Sequence, residues 1–221
     1  MLEEAFQPFL KTLMTKKFRQ GNILVYQGEV PKSAYIVKDG IVKLYNITAQ
    51  GDERIAAFKL PGDMFPTTWS FEKVASAFYY YEAQTDGEMY VMPSDSFRKF
   101  ITENPAAMHA VADHYLSNYA GSLMRITALE QPKASDKVLY TLYYLAQCYG
   151  EELRPGVVRI NIRLTQQMVA DLIGLTRETT AAELVKLKKR GVLKYKGREY
   201  TIDRAKLIQS IGEDNFKDLT L

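Results

Sequence analysis

The segment that decides the fold class is LTQQMVADLIGLTRET, residues 164–179. The side-chain oxygen of Thr165 can cap a helix, and residues 166–173 place their apolar side chains on one face. These inward-facing side chains are Val169, Leu172 and Ile173. Gly174 follows, and glycine most readily ends a helix in the left-handed backbone region. The segment therefore predicts a short helix and then a tight turn.

A second helix and a hairpin are predicted directly after this turn. Thr176 is placed to cap a helix that runs from Arg177 to about residue 190, where Gly191 stops it. Residues 192–195 and 198–202 are strand-like and flank a Lys-Gly turn sequence. Two short helices around a glycine-containing turn, followed by a two-stranded wing, predict a winged helix-turn-helix.

In a helix-turn-helix, the first turn of the second helix enters the major groove of DNA. Arg177 and Glu178 occupy that turn, where arginine can donate to guanine and glutamate can accept from cytosine. One turn on, Ala181 and Ala182 offer methyl groups to thymine. These four residues are the predicted base-reading set. The alternative is that Arg177 and Glu178 only cap the helix, with the arginine exposed to solvent.

Positive charge is concentrated at this end of the chain. Residues 159–206 contain 12 Lys and Arg against 5 Asp and Glu, a net charge of +7, whereas the whole chain has +3. A local excess of this size suits phosphate neutralisation, although a charged run by itself is more often a solvated surface. The predicted phosphate contacts are Thr165, Gln166, Thr176, Thr179, Lys186, Lys188, Lys189, Lys196 and Arg198.

The N-terminal part of the chain has a different pattern. Residues 18–95 carry glycines at intervals of roughly 10 residues, separated by short runs of β-branched and aromatic residues. Examples are the runs at 23–26, 41–45 and 89–92. This spacing predicts an antiparallel β-roll rather than a parallel sheet with crossover helices.

Between the roll and the basic end, a helix is predicted from Pro105 to Leu129, because apolar residues recur at steps of three and four. Its seam consists of Met108, Ala112, Tyr115, Tyr119, Ser122, Ile126 and Leu129. A seam of this length suits packing against a second copy of the helix, and the alternative is packing on the chain's own roll. Pro132 ends the helix, and Ser135 is predicted to cap the next one.

The predicted fold class is therefore α+β in three parts. An N-terminal antiparallel β-roll occupies residues 1–103, a long central dimerisation helix 104–131, and a C-terminal winged helix-turn-helix 132–221.

Composition excludes several kinds of site. With one cysteine, Cys148, a single subunit cannot form a disulfide, a thiolate zinc site or a Cys-ligated iron–sulfur cluster. Two histidines, His109 and His114, are too few for a cupin-like metal enzyme, so neither catalysis nor a metal site is expected. The acidic N-terminus lacks a signal peptide, and no run approaches about 18 apolar residues. We therefore expect a cytoplasmic protein without a membrane partner.

Over nearly its whole length the sequence resembles the CRP/FNR superfamily of bacterial transcription regulators. The matching residues are 164–179 and, in the roll, Gly21, Gly28, residues 35–37, Gly40, residues 42–45, Gly51 and residues 60–63, which read Leu-Pro-Gly-Asp. The resemblance implies a roll of the cyclic-nucleotide-binding type, a homodimer joined along the central helix, a palindromic DNA operator and RNA polymerase as a further partner. Cyclic-AMP-type members carry a second arginine where Ala182 stands, so their full half-site preference is not carried over.

The roll departs from the cyclic-AMP-binding members. In those members, a Gly-Glu pair after the Pro-Gly-Asp turn holds the ribose, and an Arg-Ser or Arg-Thr pair holds the cyclic phosphate. In this sequence Phe65 follows the turn, and Ala77 and Phe78 stand at the positions of the phosphate-binding pair. A buried phosphate needs a cation or several N–H donors, so cyclic AMP is not expected as a cofactor. Haem is not expected because neither histidine lies in the roll, and an iron–sulfur cluster is not expected because no cysteine precedes Cys148.

Aromatic residues suggest an apolar sensor for an unidentified small molecule. The residues assigned to an effector pocket are Phe65, Trp69, Phe78, Tyr80, Tyr119 and Ser122, and the alternative is that such aromatics only fill the roll. Two other functions stay open: a cyclic-nucleotide-responsive regulator with an atypical pocket, and a module that binds DNA with weak sequence preference.

Overall fold

The computed structural model describes residues 2–66 and 75–212. The chain divides into two compact units, Met1–His114 and Tyr115–Leu221. This division falls within the long helix, whereas the sequence assigns that helix to a part of its own.

The first unit contains the predicted β-roll, formed by two antiparallel sheets. The strands in the described residues are β1 (Met14–Phe18), β2 (Ile23–Val25), β3 (Ser33–Asp39), β4 (Val42–Ile47), β5 (Glu53–Lys59), β6 (Met64–Phe65), β7 (Tyr80–Ala83) and β8 (Gly87–Pro93). One sheet has the order β1-β8-β3-β6, and the other β2-β7-β4-β5. Side chains alternate across each strand, so one face of each sheet supplies the interior. That interior includes Val37, Leu44, Phe65, Tyr81 and Met89.

Two helices that the sequence pattern did not predict belong to this unit. They are α1 (Leu2–Leu10) and α2 (Ser94–Glu103). Their phenylalanines pack together: the rings of Phe9 and Phe100 stack with centroids 4.4 Å apart, and Phe6 meets Phe100 edge-on at 5.1 Å. The position before α2 is Pro93, which makes no side-chain cap bond, so α2 lacks the capping signal that a threonine or serine would provide.

The long helix α3 (Pro105–Glu130) agrees with the predicted helix. In the second unit it is followed by α4 (Ala134–Tyr149), which approaches it closely at Gly121. A Cβ atom at Gly121 would lie 3.1 Å from the Cys148 sulfur, so the glycine makes room for this contact. The prediction that Ser135 caps α4 is wrong. Lys133 holds the cap position without a side-chain bond, and the Ser135 hydroxyl donates instead to the Asp136 carboxylate at 3.1 Å.

The rest of the second unit is a winged helix-turn-helix, as predicted. Its strands are β9 (Gly150–Arg154), β10 (Val157–Ile160), β11 (Leu193–Lys196) and β12 (Glu199–Asp203), and its helices are α5 (Gln166–Ile173), α6 (Arg177–Lys189) and α7 (Arg204–Ile211). The sheet order is β11-β12-β10-β9. The wing strands are displaced by one residue from their predicted positions, because the turn falls on residues 197 and 198. Strand β9 and helix α7 were not predicted.

Candidate nucleic-acid interface

Helix α5 and the turn after it form as the local signals predict. The Thr165 hydroxyl accepts the backbone N–H of Met168 at 3.0 Å, and Val169 and Leu172 are fully buried. Gly174 has a φ of 67° and its N–H bonds to the Ala170 carbonyl. Only glycine adopts this backbone conformation without strain, so Gly174 sets the angle at which the chain enters the next helix.

Helix α6 has a buried face and an exposed face. The Thr176 hydroxyl caps it by accepting the Thr179 N–H at 3.2 Å. Thr180, Leu184 and Leu187 are buried. Of the predicted base-reading residues, Arg177, Glu178 and Ala182 are exposed and Ala181 is half-buried. Val185 continues the exposed face toward the C-terminus of the helix. The helix is therefore anchored by one side and presents the other, starting with its first turn.

The cations of α6 and the wing fall into two groups. Lys186 is paired with Glu183 at 2.7 Å, Arg190 donates to the Ser210 hydroxyl at 2.8 Å, and the Lys188 ammonium lies over the Tyr195 ring. Within the described residues, no ion pair involves the second group: Arg177, Lys189, Lys194, Lys196 and Arg198. This second group is available to phosphate groups without breaking an existing contact.

The hydroxyl groups predicted to contact phosphate take part in capping. The oxygens of Thr165 and Thr176 accept backbone N–H groups, and Thr176 also donates to the Thr179 hydroxyl at 2.9 Å. Gln166 lies at the first position of α5 and is half-buried. The three threonines therefore hold the two helix starts in place, whether or not they also contact DNA.

The position that the resemblance gives to the cyclic phosphate is occupied by other contacts. Ala77 is buried; its N–H donates to the Glu29 carbonyl at 2.8 Å and its carbonyl accepts the Gly28 N–H at 2.8 Å. The Phe78 side chain is 55% exposed and has no polar atom. Burial and the Glu29 charge raise the pKa of Tyr35 in the same unit. The side chains of Ala77 and Phe78 thus supply no cation to an anion, and the Ala77 N–H is already bonded.

The residues assigned to an effector pocket differ in their surroundings. Phe65 is fully buried and stacks on Tyr81 with ring centroids 5.2 Å apart. Tyr80 is the neighbour of Tyr81 on β7 and projects to the opposite face, where it stacks on Tyr45 at 5.2 Å. Assigning Tyr80 and Phe65 to one pocket is therefore wrong, because strand alternation separates them. Trp69 lies outside the described residues, and in the second unit Tyr119 and Ser122 are exposed.

Helix α3 has apolar side chains on two sides. Gly121, Met124 and Ala128 are buried within the second unit. The other side remains exposed: Leu116 by 64%, Tyr119 by 63%, Leu123 by 41% and Ile126 by 49%. Of the predicted seam, Met108, Ala112, Ser122 and Leu129 are also exposed, while Tyr115 is half-buried. The predicted seam left out Leu116 and Leu123, although they have the same three- and four-residue spacing to Tyr119 and Ile126.

The histidines and the cysteine have ordinary structural environments. His109 is exposed beside Asp113, whereas the His114 ring lies 3.7 Å from the Asp63 carboxylate of its own unit. Burial lowers the pKa of His114 against the opposing charge of Asp63. Burial also raises the pKa of Cys148 to about 12, so its thiol is unreactive.

Neither a metal centre nor a membrane span is evident in the part of the chain that the structure describes. Within it, no three His, Cys, Asp or Glu side chains are grouped so that they could hold a metal ion. None of its helices combines the length and the apolar composition needed to cross a bilayer.

Two family profiles match this chain, one over the β-roll and one over the helix-turn-helix. The family profile described as "Cyclic nucleotide-binding domain" matches residues 15–104, and that described as "Crp-like helix-turn-helix domain" matches residues 136–210. Regulatory protein HlyX of Actinobacillus pleuropneumoniae is 26% identical over 193 residues, which cover 86% of this chain and 78% of HlyX. The fumarate and nitrate reduction regulatory protein of Escherichia coli K12 is 25% identical over 191 residues, covering 85% of this chain and 74% of that protein.

Solved structures resemble the chain in fold. FixK2 from Bradyrhizobium japonicum superimposes with a TM-score of 0.74 at 21% sequence identity, covering 90% of this chain and 96% of FixK2. At this identity the likeness shows a shared architecture.

Proposed function

The chain belongs to the CRP/FNR family of DNA-binding transcription regulators, and we propose that it acts as a homodimer on a palindromic operator. The observation that carries the proposal is the exposed first turn of α6. Its residues Arg177 and Glu178 are exposed, while the buried face of the same helix anchors it to the unit. A helix held in this way can place its N-terminal side chains against base edges in the major groove.

The half-site follows from the exposed chemistry of α6. Arg177 donates to guanine and Glu178 accepts from cytosine, so the first turn reads a G·C-containing step. Ala182 and Val185 have no hydrogen-bonding groups and fit beside thymine methyls. The phosphate contacts come from the unpaired cations, Lys189, Lys196 and Arg198, with further contributions from Lys186 and from Thr165, Gln166, Thr176 and Thr179 at the helix starts. The operator is therefore expected to pair a G·C step with neighbouring thymines in each half.

Dimerisation is supported by the uncovered side of α3. Leu116, Tyr119, Leu123 and Ile126 follow steps of three and four along the helix and remain exposed in the single chain. Such a row matches the seam of a two-stranded coiled coil, in which each helix covers the other. We assign the dimer interface to this row, which we call the α3 seam, together with the predicted residues Met108, Ala112, Tyr115, Ser122 and Leu129.

The proposal is tested by selecting bound sequences from a random DNA pool with the full-length protein. We expect a palindromic consensus, and a purified operator should bind about 10³-fold or more tightly than random DNA at physiological salt. A ratio near unity would instead identify a module that binds DNA with weak sequence preference.

We further propose that cyclic AMP does not control this protein. The residues that stand at the phosphate position, Ala77 and Phe78, provide no cation, and the Ala77 N–H is already bonded to Glu29. Burying a phosphate there would leave its charge uncompensated. The residues do not fit a cyclic nucleotide, so we propose no control through one. The effector, if the regulator has one, is of another chemical class.

The expected result of titrating cyclic AMP into the dimer is no binding heat up to about 1 mM ligand. Thermal unfolding provides a second measurement, because a ligand with a Kd near 10 µM would stabilise the folded state by about 2.7 kcal/mol at 1 mM. A saturable heat in the micromolar range, or a rise in Tm of several degrees, would establish a cyclic-nucleotide-responsive regulator with an atypical pocket.

Further parts of the proposal rest on the sequence and on the family. We place the protein in the cytoplasm, give it no enzymatic activity, haem, metal or iron–sulfur cluster, and regard RNA polymerase as a further partner. The sequence supports the absence of a cluster, since one cysteine cannot supply its ligands.

A further inference from the structure

The three lysines in the last turn of α6 have different surroundings. Lys186 pairs with Glu183 at 2.7 Å. Lys189 is exposed and forms no ion pair within the described residues. The Lys188 ammonium lies 4.5 Å from the centroid of the Tyr195 ring, which belongs to strand β11 of the wing. At this distance the cation is attracted by the face of the ring.

The Tyr195 ring is in turn held by the core of the same unit. It stacks on Tyr200 with ring centroids 5.3 Å apart and an interplanar angle of 21°. The two tyrosines are directly paired across β11 and β12, and Tyr200 is 1% exposed. A continuous set of contacts therefore runs from the buried core through both wing strands to the end of α6. We call Lys188, Tyr195 and Tyr200 the wing latch.

We propose that Lys188 is a positioning residue, which holds the wing against the DNA-reading helix through the Tyr195 ring, and that it is not primarily a phosphate contact. The inference rests on the proposed function, in which α6 and the wing bind one DNA site. Lys196 follows Tyr195 directly and Arg198 lies in the wing turn. Fixing the Tyr195 ring thus fixes where these two cations stand relative to Arg177 and Glu178. This revises the sequence-based assignment of Lys188 to the phosphate contacts.

The latch also explains how a short hairpin can contribute to a rigid DNA-binding surface. The base of this hairpin is held by the pairing of β12 with β10 at residues 201–203. Its tip, residues 195–200, extends beyond that pairing and depends on side-chain contacts to neighbouring elements. Here the paired tyrosines and the lysine stem supply those contacts near the wing turn. Without them, the wing would sample orientations that only DNA binding could select, and this ordering would reduce affinity.

The decisive variant is Tyr195→Leu, because it removes the ring and leaves every charge in place. If Lys188 acts through the ring, Tyr195→Leu and Lys188→Ala should each weaken operator binding about 3- to 10-fold. The double variant should then have the same operator affinity as the single variant that binds less tightly. The matched control is Lys189→Ala, whose effect should multiply with that of Tyr195→Leu. If Tyr195→Leu binds like the wild type, or if Lys188→Ala and Tyr195→Leu also multiply, Lys188 is a phosphate contact and the proposal is wrong.

A second measurement uses the free dimer, so it does not depend on DNA binding. Lys188→Ala should speed hydrogen exchange of the amides in β11 and β12 about 3- to 10-fold, whereas Lys189→Ala should leave them unchanged. Equal exchange in the two variants would overturn the latch. Failure of the wild type to select a DNA sequence would count against the proposed function and would leave this exchange result intact.

Discussion

Ile126→Glu is expected to convert the protein to a monomer and to weaken operator binding about 10²- to 10⁴-fold. Ile126 is 49% exposed in the single chain, so the substitution should not disturb the fold of the subunit. In a parallel dimer, however, the two new carboxylates would face each other across the α3 seam. Burying like charges opposes association, and each monomer would then bind only one half-site.

Sedimentation measures the oligomeric state, and fluorescence anisotropy with the selected operator measures the affinity. The matched control is Ala106→Glu, which adds the same charge to an exposed position of α3 about 160° around the helix from Ile126. It should remain dimeric and bind like the wild type. If Ile126→Glu also remained a dimer with unchanged affinity, the subunits would have to associate through another surface.

Glu178→Ala is expected to relax the base preference at one position of each half-site. The carboxylate is exposed in the first turn of α6, where it can accept from a cytosine amino group. Its loss should reduce discrimination at that position by roughly 1–3 kcal/mol, which is about 5- to 150-fold, because the other bases no longer leave a buried carboxylate unpaired. Sequence selection with the variant measures this change directly.

Lys189→Ala is the comparison for Glu178→Ala. Lys189 forms no ion pair with the described residues. Its removal should weaken all sequences alike and make the salt dependence shallower by about one unit per lost phosphate contact. An unchanged selection profile for Glu178→Ala would mean that a different face of α6 enters the groove.

The helix-turn-helix could be predicted closely because its signals are local. Thr165 and Thr176 cap the helices that they were predicted to cap, and Gly174 adopts the left-handed conformation that its position suggested. Each of these features depends on bonds within a few residues. Ser135 shows the limit of the same reasoning, since a suitable residue type does not cap a helix that begins one residue earlier.

The β-roll was predicted as a class of fold but not in detail. The run of Tyr79, Tyr80 and Tyr81 is aromatic throughout, so no alternation shows which residue points inward. The pairing of β7 with β4 decides this, because it places Tyr81 beside Leu44 in the interior and Tyr80 beside Tyr45 on the other face. The assignment of Tyr80 to a pocket failed for this reason.

Helix α3 was predicted from the spacing of its apolar residues. The sequence does not show, however, which of its two apolar sides is covered. Residues on both sides follow three- and four-residue steps. The packing of α4 against Gly121 covers one side within the second unit, and Leu116 and Leu123 are left on the other.

The sequence by itself determined the winged helix-turn-helix, the position of Arg177 and Glu178 at its second helix, and the lack of cysteines for a cluster. These follow from capping, turn chemistry and composition, which act over short distances or need no structure. Only the tertiary structure decided the roles of residues that look alike along the chain. It placed Lys188 over a tyrosine ring, left Lys189 without an ion pair in the described part of the chain, and bonded the Ala77 N–H to the Glu29 carbonyl. Such differences arise from how separate elements of the fold pack against one another, and composition and periodicity contain no record of them.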